Sequence, residues 1–294
     1  MAFRMMSHFS KLLVMSVVLV VSFQVVGADK TIVLVAGAPS HRSGEHEFKA
    51  GAILLKKCLD RLGGLKARIY TNSWPEDPKA FQGADAIFLY MDGGRKHPAI
   101  EAPRLKLLGE LMRKGVGLGC AHFAVEVPKD RGGAEFLDWI GGYYEVGYSI
   151  NPIWTPEFTS LPDHPITRGV QPFAVNDEWY FHIRFRPEPR EVTPILIATP
   201  SDETRQNSYG PYPHIVAARG QGEVLMWAID RPDGGRGFGF TGGHFHRNWG
   251  DENFRKIVLN AVLWIAKVEV PPGGVSCPLT AEELKENLDS KPEK

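Results

Sequence analysis

Gly237-Phe-Gly-Phe-Thr-Gly-Gly-His-Phe-His-Arg-Asn-Trp-Gly250 is an apolar strand that runs into a glycine turn and presents two histidines. Glycines at 242 and 243 let the backbone turn sharply and approach other groups closely. Residues two apart in extended chain face the same way, so His244 and His246 are expected to point into one cavity. A helix is expected from about Asp251, burying Phe254, Ile257, Val258, Ala261, Trp264 and Ile265 along one face. A strand that ends in polar side chains and turns at once into a helix is a unit of an α/β fold.

The same unit recurs upstream. Thr31 to Ala36 is a short β-branched run of the kind buried in a parallel sheet, followed by a loop carrying His41. Ser43 is placed to cap a helix with Phe48, Ala52, Leu55, Leu59 and Leu62 on one face, with His46 in its first turn. Ala67 to Tyr70 and Ala84 to Tyr90 are further strands, and His97 follows the second of them. A helix from Pro103 buries Leu105, Leu108, Leu111 and Met112. Val116 to Gly119 then runs into Cys120-Ala-His122. This order implies a mostly parallel sheet with right-handed crossovers. Ligands collect outside the carboxyl ends of such strands. Of the nine histidines after residue 28, six (His41, His46, His97, His122, His244 and His246) fall on that edge.

Between the two halves the pattern changes. Glu135 to Ile140 reads as a short helix, followed by an aromatic, Gly- and Pro-rich stretch. Glu178 to Phe185 alternates polar and apolar residues and reads as one half-buried strand, with Glu178, Tyr180, His182 and Arg184 on its polar face. Ile195 to Ala198 is another strand. Residues 201–214 form a long polar loop, and Ile215 to Ala218 is expected to pair with Gly222 to Ile229 as strands.

Arg4 and Lys11 flank the start of an apolar run from Leu12 to Val26, and Val26-Gly-Ala28 has the small-x-small form of a cleavage site. Residues 1–28 therefore read as a signal peptide, 29–270 as one domain and 271–294 as a tail without assigned function. The expectation is a periplasmic or extracellular protein with no membrane contact after cleavage. With 34 basic and 34 acidic residues and no basic block, nucleic acid is not an expected partner. Three widely spaced cysteines give no disulfide framework, and Cys58 reads as an inert thiol inside its helix.

Two chemistries fit the histidine edge. One is general acid–base catalysis, with Glu178 and His182 as a pair on one strand face and Glu126 as a carboxylate near His122. The other is a divalent metal such as zinc, for which His41, His122, Glu178 and His244 would suffice, although no compact zinc signature is present. Cys120 ends a strand two residues before a histidine, as a nucleophile on an elbow would. The flanking alternate positions are Leu118 and His122 rather than glycine, which favours a small buried residue. Gly235-Arg-Gly-Phe-Gly239 lacks G-x-G-x-x-G and precedes a strand, so dinucleotide binding is rejected.

Gly119-Cys-Ala-His-Phe-Ala-Val-Glu126, Asp177-Glu-Trp-Tyr180 and Gly242-Gly-His-Phe-His-Arg-Asn-Trp249, in this order, resemble the trehalose-utilisation or ThuA-like family over most of residues 31–268. That resemblance implies a flavodoxin-like three-layer α/β sandwich of the class I glutamine amidotransferase-like superfamily. It does not imply glutaminase activity, because Cys120 lacks the G-x-C-x-G frame and His246 stands where an acid would follow His244. It further implies an enzyme of carbohydrate metabolism, acting on a 3-keto glycoside or related sugar. The expected catalytic residues are His122, Glu178, His182, His244 and His246. His41, Glu126, Tyr180, Arg184, Arg247 and Trp249 are expected around the substrate, with His41, His122 and His244 as the metal ligands. The alternatives are a non-catalytic carbohydrate-binding module and a Cys120-dependent hydrolase.

Overall fold

The computed structural model describes residues 29–187, 192–206 and 212–291, so the leader reading and residues 207–211 of the polar loop lie outside the described residues. Seven strands form one sheet: β1 (Lys30–Ala36), β2 (Leu65–Tyr70), β3 (Ala86–Tyr90), β4 (Gly117–Ala121), β5 (Thr193–Ala198), β6 (Glu223–Asp230) and β7 (Arg236–Phe240). Their spatial order is β5-β6-β7-β4-β3-β1-β2. The five strands from β2 to β7 in that order run parallel; β6 is antiparallel to both of its neighbours. This is the mostly parallel α/β sandwich expected from the strand–helix pattern.

Alternation along β1 builds the layers. Ile32 and Leu34 face one core, shared with helix α1 (Phe48–Leu59) and the long last helix (Glu252–Ile265). Val33 and Val35 face the other, shared with α2 (Ala102–Met112) and α3 (Gly133–Trp139). Every residue of β1 from Ile32 onward is fully buried, as a strand covered on both faces must be.

Several local expectations are corrected. Ser43 does not cap α1; the helix begins at Phe48 after Glu47, so His46 precedes it in a loop. Residues 213–217 form a helix rather than a strand, since Pro213 sits at its first position and β6 already has partners on both sides. Glu178 to Phe185 is not one strand. Asp177–Glu178 pairs with Ile153–Trp154, Arg184–Phe185 pairs with Gly142–Tyr143, and His182 breaks the run at φ 59°. Its alternation reflects two separate short pairings.

The cysteine reading is also corrected. Cys58 of α1 and Cys277 form a disulfide across 219 residues. It fastens the tail to the domain beside the loop before α1, where Lys291 Nζ reaches the carbonyls of Glu45 (2.6 Å) and His46 (3.1 Å). Lys291 also pairs with Glu47, both almost fully buried, and the Asp289 N–H donates to Glu47. Within the tail, Glu283–Lys285 forms a short 3-10 turn. Among the described residues no helix is long and apolar enough to cross a membrane.

Candidate functional site

Four polar side chains meet at the carboxyl edge of the parallel strands. His122 follows β4 directly, and its Nδ1 lies 3.0 Å from the carbonyl of Thr241, just past β7. A carbonyl only accepts, so Nδ1 carries the proton and Nε2 faces inward with its lone pair. His46, from the loop before α1, places Nε2 at 2.9 Å from His122 Nε2, with its Nδ1 3.3 Å from both Asp92 and Ser40 Oγ. His244 presents Nδ1 at 3.4 Å from Glu178 Oε2, and the same oxygen is 3.5 Å from His122 Nε2. Asn151 steadies Glu178 by donating to its other oxygen at 3.0 Å. The Tyr180 hydroxyl lies 3.3 Å from His122 Nε2.

The turn that carries His244 is held by a buried carboxylate. Asp177 accepts from the backbone N–H groups of Gly243 (2.7 Å), His244 (3.1 Å) and Phe245 (3.2 Å). From the other side, the Tyr90 hydroxyl donates to the Gly243 carbonyl at 2.5 Å. Gly243 adopts φ 117°, a conformation that only glycine takes without strain. His41, His46 and His122 also have positive φ, at 60°, 46° and 54°. Side chains with a Cβ cost on the order of 1 kcal/mol or more there, and such strain gathers at functional sites.

Burial sets the protonation states. It pushes His122 and His46 far below the ordinary imidazole range, with the neighbouring histidines adding to the effect, and it lowers His41 as well. These rings are neutral at pH 7 and act as lone-pair donors. Burial, helped by the nearby charge of Glu178, pushes Glu126 up to about 7. Burial also raises Tyr180, as does Glu178 beside it. The group opens onto a cavity of about 280 Å³ whose walls include Phe123, Glu126, Tyr144, Asn151 and Tyr212. A larger groove of about 680 Å³ between α2 and α3 is lined by Lys106, Arg113 and Asp138 among others and carries none of the histidines.

Of the residues expected from the sequence, the fold gathers His41, His122, Glu126, Glu178, Tyr180 and His244 around this cavity. It does not bring in the others. His182 turns to Glu223, 3.5 Å from its Nδ1. His246 enters a 3-10 turn, which breaks the alternation with His244, and its Nε2 is 2.8 Å from the carbonyl of Leu284. Arg184 makes two contacts to Glu145 and lies over the Tyr148 ring. Arg247 is exposed against Phe245. Trp249 is fully buried behind Tyr90, where it donates to the hydroxyl. Cys120 is fully buried in the core under α2 and α3, and burial pushes its thiol up, so it is a packing residue and not an exposed nucleophile. His97 is likewise structural, bonded to the Ala124 carbonyl and the Ala99 N–H.

Sequence reasoning missed the roles of His46, Asp92, Glu45 and Asp177. Asp177 sat inside a quoted motif, one residue from Glu178, and a buried acid before a short strand is a readable anchor. His46 and Asp92 lie in loops with no periodicity, and nothing in the sequence links them.

A mostly parallel sheet of this order, with imidazoles and a carboxylate gathered at its carboxyl edge, defines an α/β protein of the doubly wound kind. The profile of the trehalose-utilisation family, ThuA, matches residues 41–265, and the chain belongs to that family. Two solved structures show the same fold. A ThuA-like protein from Bacteroides uniformis ATCC 8492 is 14% identical with a TM-score of 0.59, over 83% of this chain and 94% of that one. A ThuA-like protein from Parabacteroides merdae ATCC 43184 is 17% identical with a TM-score of 0.56, over 87% and 94%. No curated protein matches in sequence.

Proposed function

We propose that this protein is an exported enzyme that acts on a keto sugar, most simply a 3-keto glycoside, by moving a proton beside the carbonyl. The observation that carries the reading is Glu126, whose carboxyl burial pushes up to about 7, facing a sugar-sized polar cavity that His41, His46, Glu178 and Tyr180 also line. Membership of the trehalose-utilisation family supports a carbohydrate substrate. The leader pattern and the Cys58–Cys277 disulfide support export to an oxidising compartment.

In a 3-keto glycoside the C2–H is acidified by the C3 carbonyl. Glu126 takes that proton, and the electron pair moves onto the carbonyl oxygen. The Tyr180 hydroxyl donates to the resulting oxyanion. When the carbonyl re-forms, the electron pair of the enolate becomes a C1=C2 double bond, the bond from C1 to its oxygen substituent breaks, and Glu126 returns the proton to the leaving oxygen. A group that titrates near 7 suits both halves of this transfer. Proton work thus moves from the expected Glu178–His182 pair to Glu126, because His182 turns away to Glu223.

The test is incubation with 3-keto glucosides and with the unoxidised sugars, following release of the C1 substituent. Release from the keto sugars alone, falling on the order of 10²- to 10⁴-fold in Glu126→Gln, is expected. Binding without turnover, lost on substitution of Tyr144 or Tyr212 and indifferent to Glu126→Gln, would replace the enzyme reading with a sugar-binding module.

A further inference from the structure

The three buried imidazoles of the rim are each held from outside. Thr241 O faces His122 Nδ1 at 3.0 Å, Asp92 faces His46 Nδ1 at 3.3 Å, and Glu45 faces His244 Nε2 at 3.8 Å. The Thr241 carbonyl and Asp92 are acceptors within hydrogen-bond reach and favour a proton on the nitrogen each faces, whereas Glu45 is an ion-pair neighbour of His244 and not a hydrogen-bond partner. The opposite nitrogens of His122 and His46 then carry lone pairs, and both point inward. His46 Nε2 and His122 Nε2 lie 2.9 Å apart. His244 Nδ1 is buried without a hydrogen-bond partner, and the carboxylate oxygen of Glu178 stands 3.4 and 3.5 Å from His244 and His122. Moving the His46 proton to Nε2 only shifts the conflict to Asp92, whose oxygen already accepts the Ser40 hydroxyl proton at 2.7 Å. Two lone-pair nitrogens and a carboxylate oxygen facing one another repel unless positive charge lies among them.

We propose that His46, His122, His244 and Glu178 bind one divalent first-row transition-metal ion, zinc being the first candidate, with a coordination position open to the cavity. Ligands at about 2.0–2.2 Å from an ion place neighbouring donor atoms roughly 3.0–3.5 Å apart. The closest separations here are 2.9, 3.4 and 3.5 Å, and all four donor atoms lie within 4.8 Å of one another. Three imidazoles and one carboxylate suit zinc, iron, cobalt or nickel better than magnesium or calcium. Acceptors on the far ring nitrogens are the outer partners that orient such ligands. His41, expected as a ligand from the sequence, lies outside this set of four: it packs at a tilt on the His46 ring, 3.6 Å between centroids, is exposed, and groups instead with His46 and Asp92. The inference rests on reading this edge as the reactive centre, where an ion would polarise adjacent sugar oxygens, but its test needs no substrate.

The full chain, purified without added chelator, is assayed for metal by mass spectrometry, then stripped and titrated with Zn²⁺ and Mn²⁺ by calorimetry. One ion per chain is expected, with Co²⁺ substitution giving visible absorption bands. His122→Ala and Glu178→Gln are expected to weaken binding by at least about 100-fold, while His182→Ala leaves it unchanged. Circular dichroism reports whether each variant folds, and His46→Gln serves if His122→Ala does not. Failure of the folded chain to take up any of these ions overturns the proposal, as does binding that survives all three substitutions. Metal binding without keto-sugar turnover removes the functional reading and leaves the metal site standing. Keto-sugar turnover by a folded chain that takes up none of these ions does the opposite.

Discussion

Two groups of histidines sit on this molecule, and only one has the makings of a reactive centre. In the first, His46, His122 and His244 turn ring nitrogens toward one another around Glu178. In the second, His182 and His214 lie 5.1 Å apart among Tyr148, Tyr212 and Arg184. There each ring has its own complement. His182 faces Glu223, which Arg205 also binds at 2.6 Å, and His214 Nε2 donates to the Tyr148 carbonyl at 2.9 Å while stacking between two tyrosines. Proximity of imidazoles therefore decides little. What distinguishes a site is polarity left unresolved inside the protein, together with a cavity to receive something that resolves it.

The sharpest way to break this contrast is a pair of substitutions. His122→Ala is expected to lower keto-sugar turnover by on the order of 10³-fold or more, and His182→Ala by less than about tenfold. Equal losses in steady-state assays would erase the distinction. Next comes the scaffold of the first group. Asp177→Ala strands three backbone donors at the His244 turn and is expected to cost about 2–4 kcal/mol of stability by urea denaturation. His182→Ala, which removes one partner from a part-buried pair, should cost only about 1–2 kcal/mol in the same experiment.

Glu126 gives a subtler comparison through pH. Its carboxyl titrates near 7 when folded and near 4.5 when free, so the folded chain holds the proton longer. The stability this contributes is complete below about pH 4.5 and is lost as pH rises toward 7. Glu126→Gln should therefore match the parent at pH 4.5 and exceed it in stability above pH 7, in chelator-treated protein. A Glu126→Gln profile parallel to the parent's at both pH values would show that the side chain is solvated and not poised for proton transfer.

Much of this architecture could be read from the chain, for a physical reason. Apolar runs such as Thr31 to Ala36 and the periodic helix that packs Phe254 to Ile265 carry their partners' positions in their own spacing. His122 and His244 were legible because strand ends in a parallel sheet all open on one edge. His46 was on that edge but gained its role only through φ 46° in an irregular loop. The run at 178–185 misled because a period of two records which face is buried, not which strand lies alongside. Cys58 and Cys277 could not be paired from spacing, since their meeting depends on a tail that folds back across the domain.

That returning tail has a consequence for biogenesis. The loop bearing His46 is made early, yet the ammonium that ties down its carbonyls comes 245 residues later. While the polypeptide is still emerging, the sheet can zip together with one wall of its reactive edge unbraced. A translation product that stops short of Cys277 would lack both the Lys291 tie and the disulfide, keeping the sheet but holding that wall loosely.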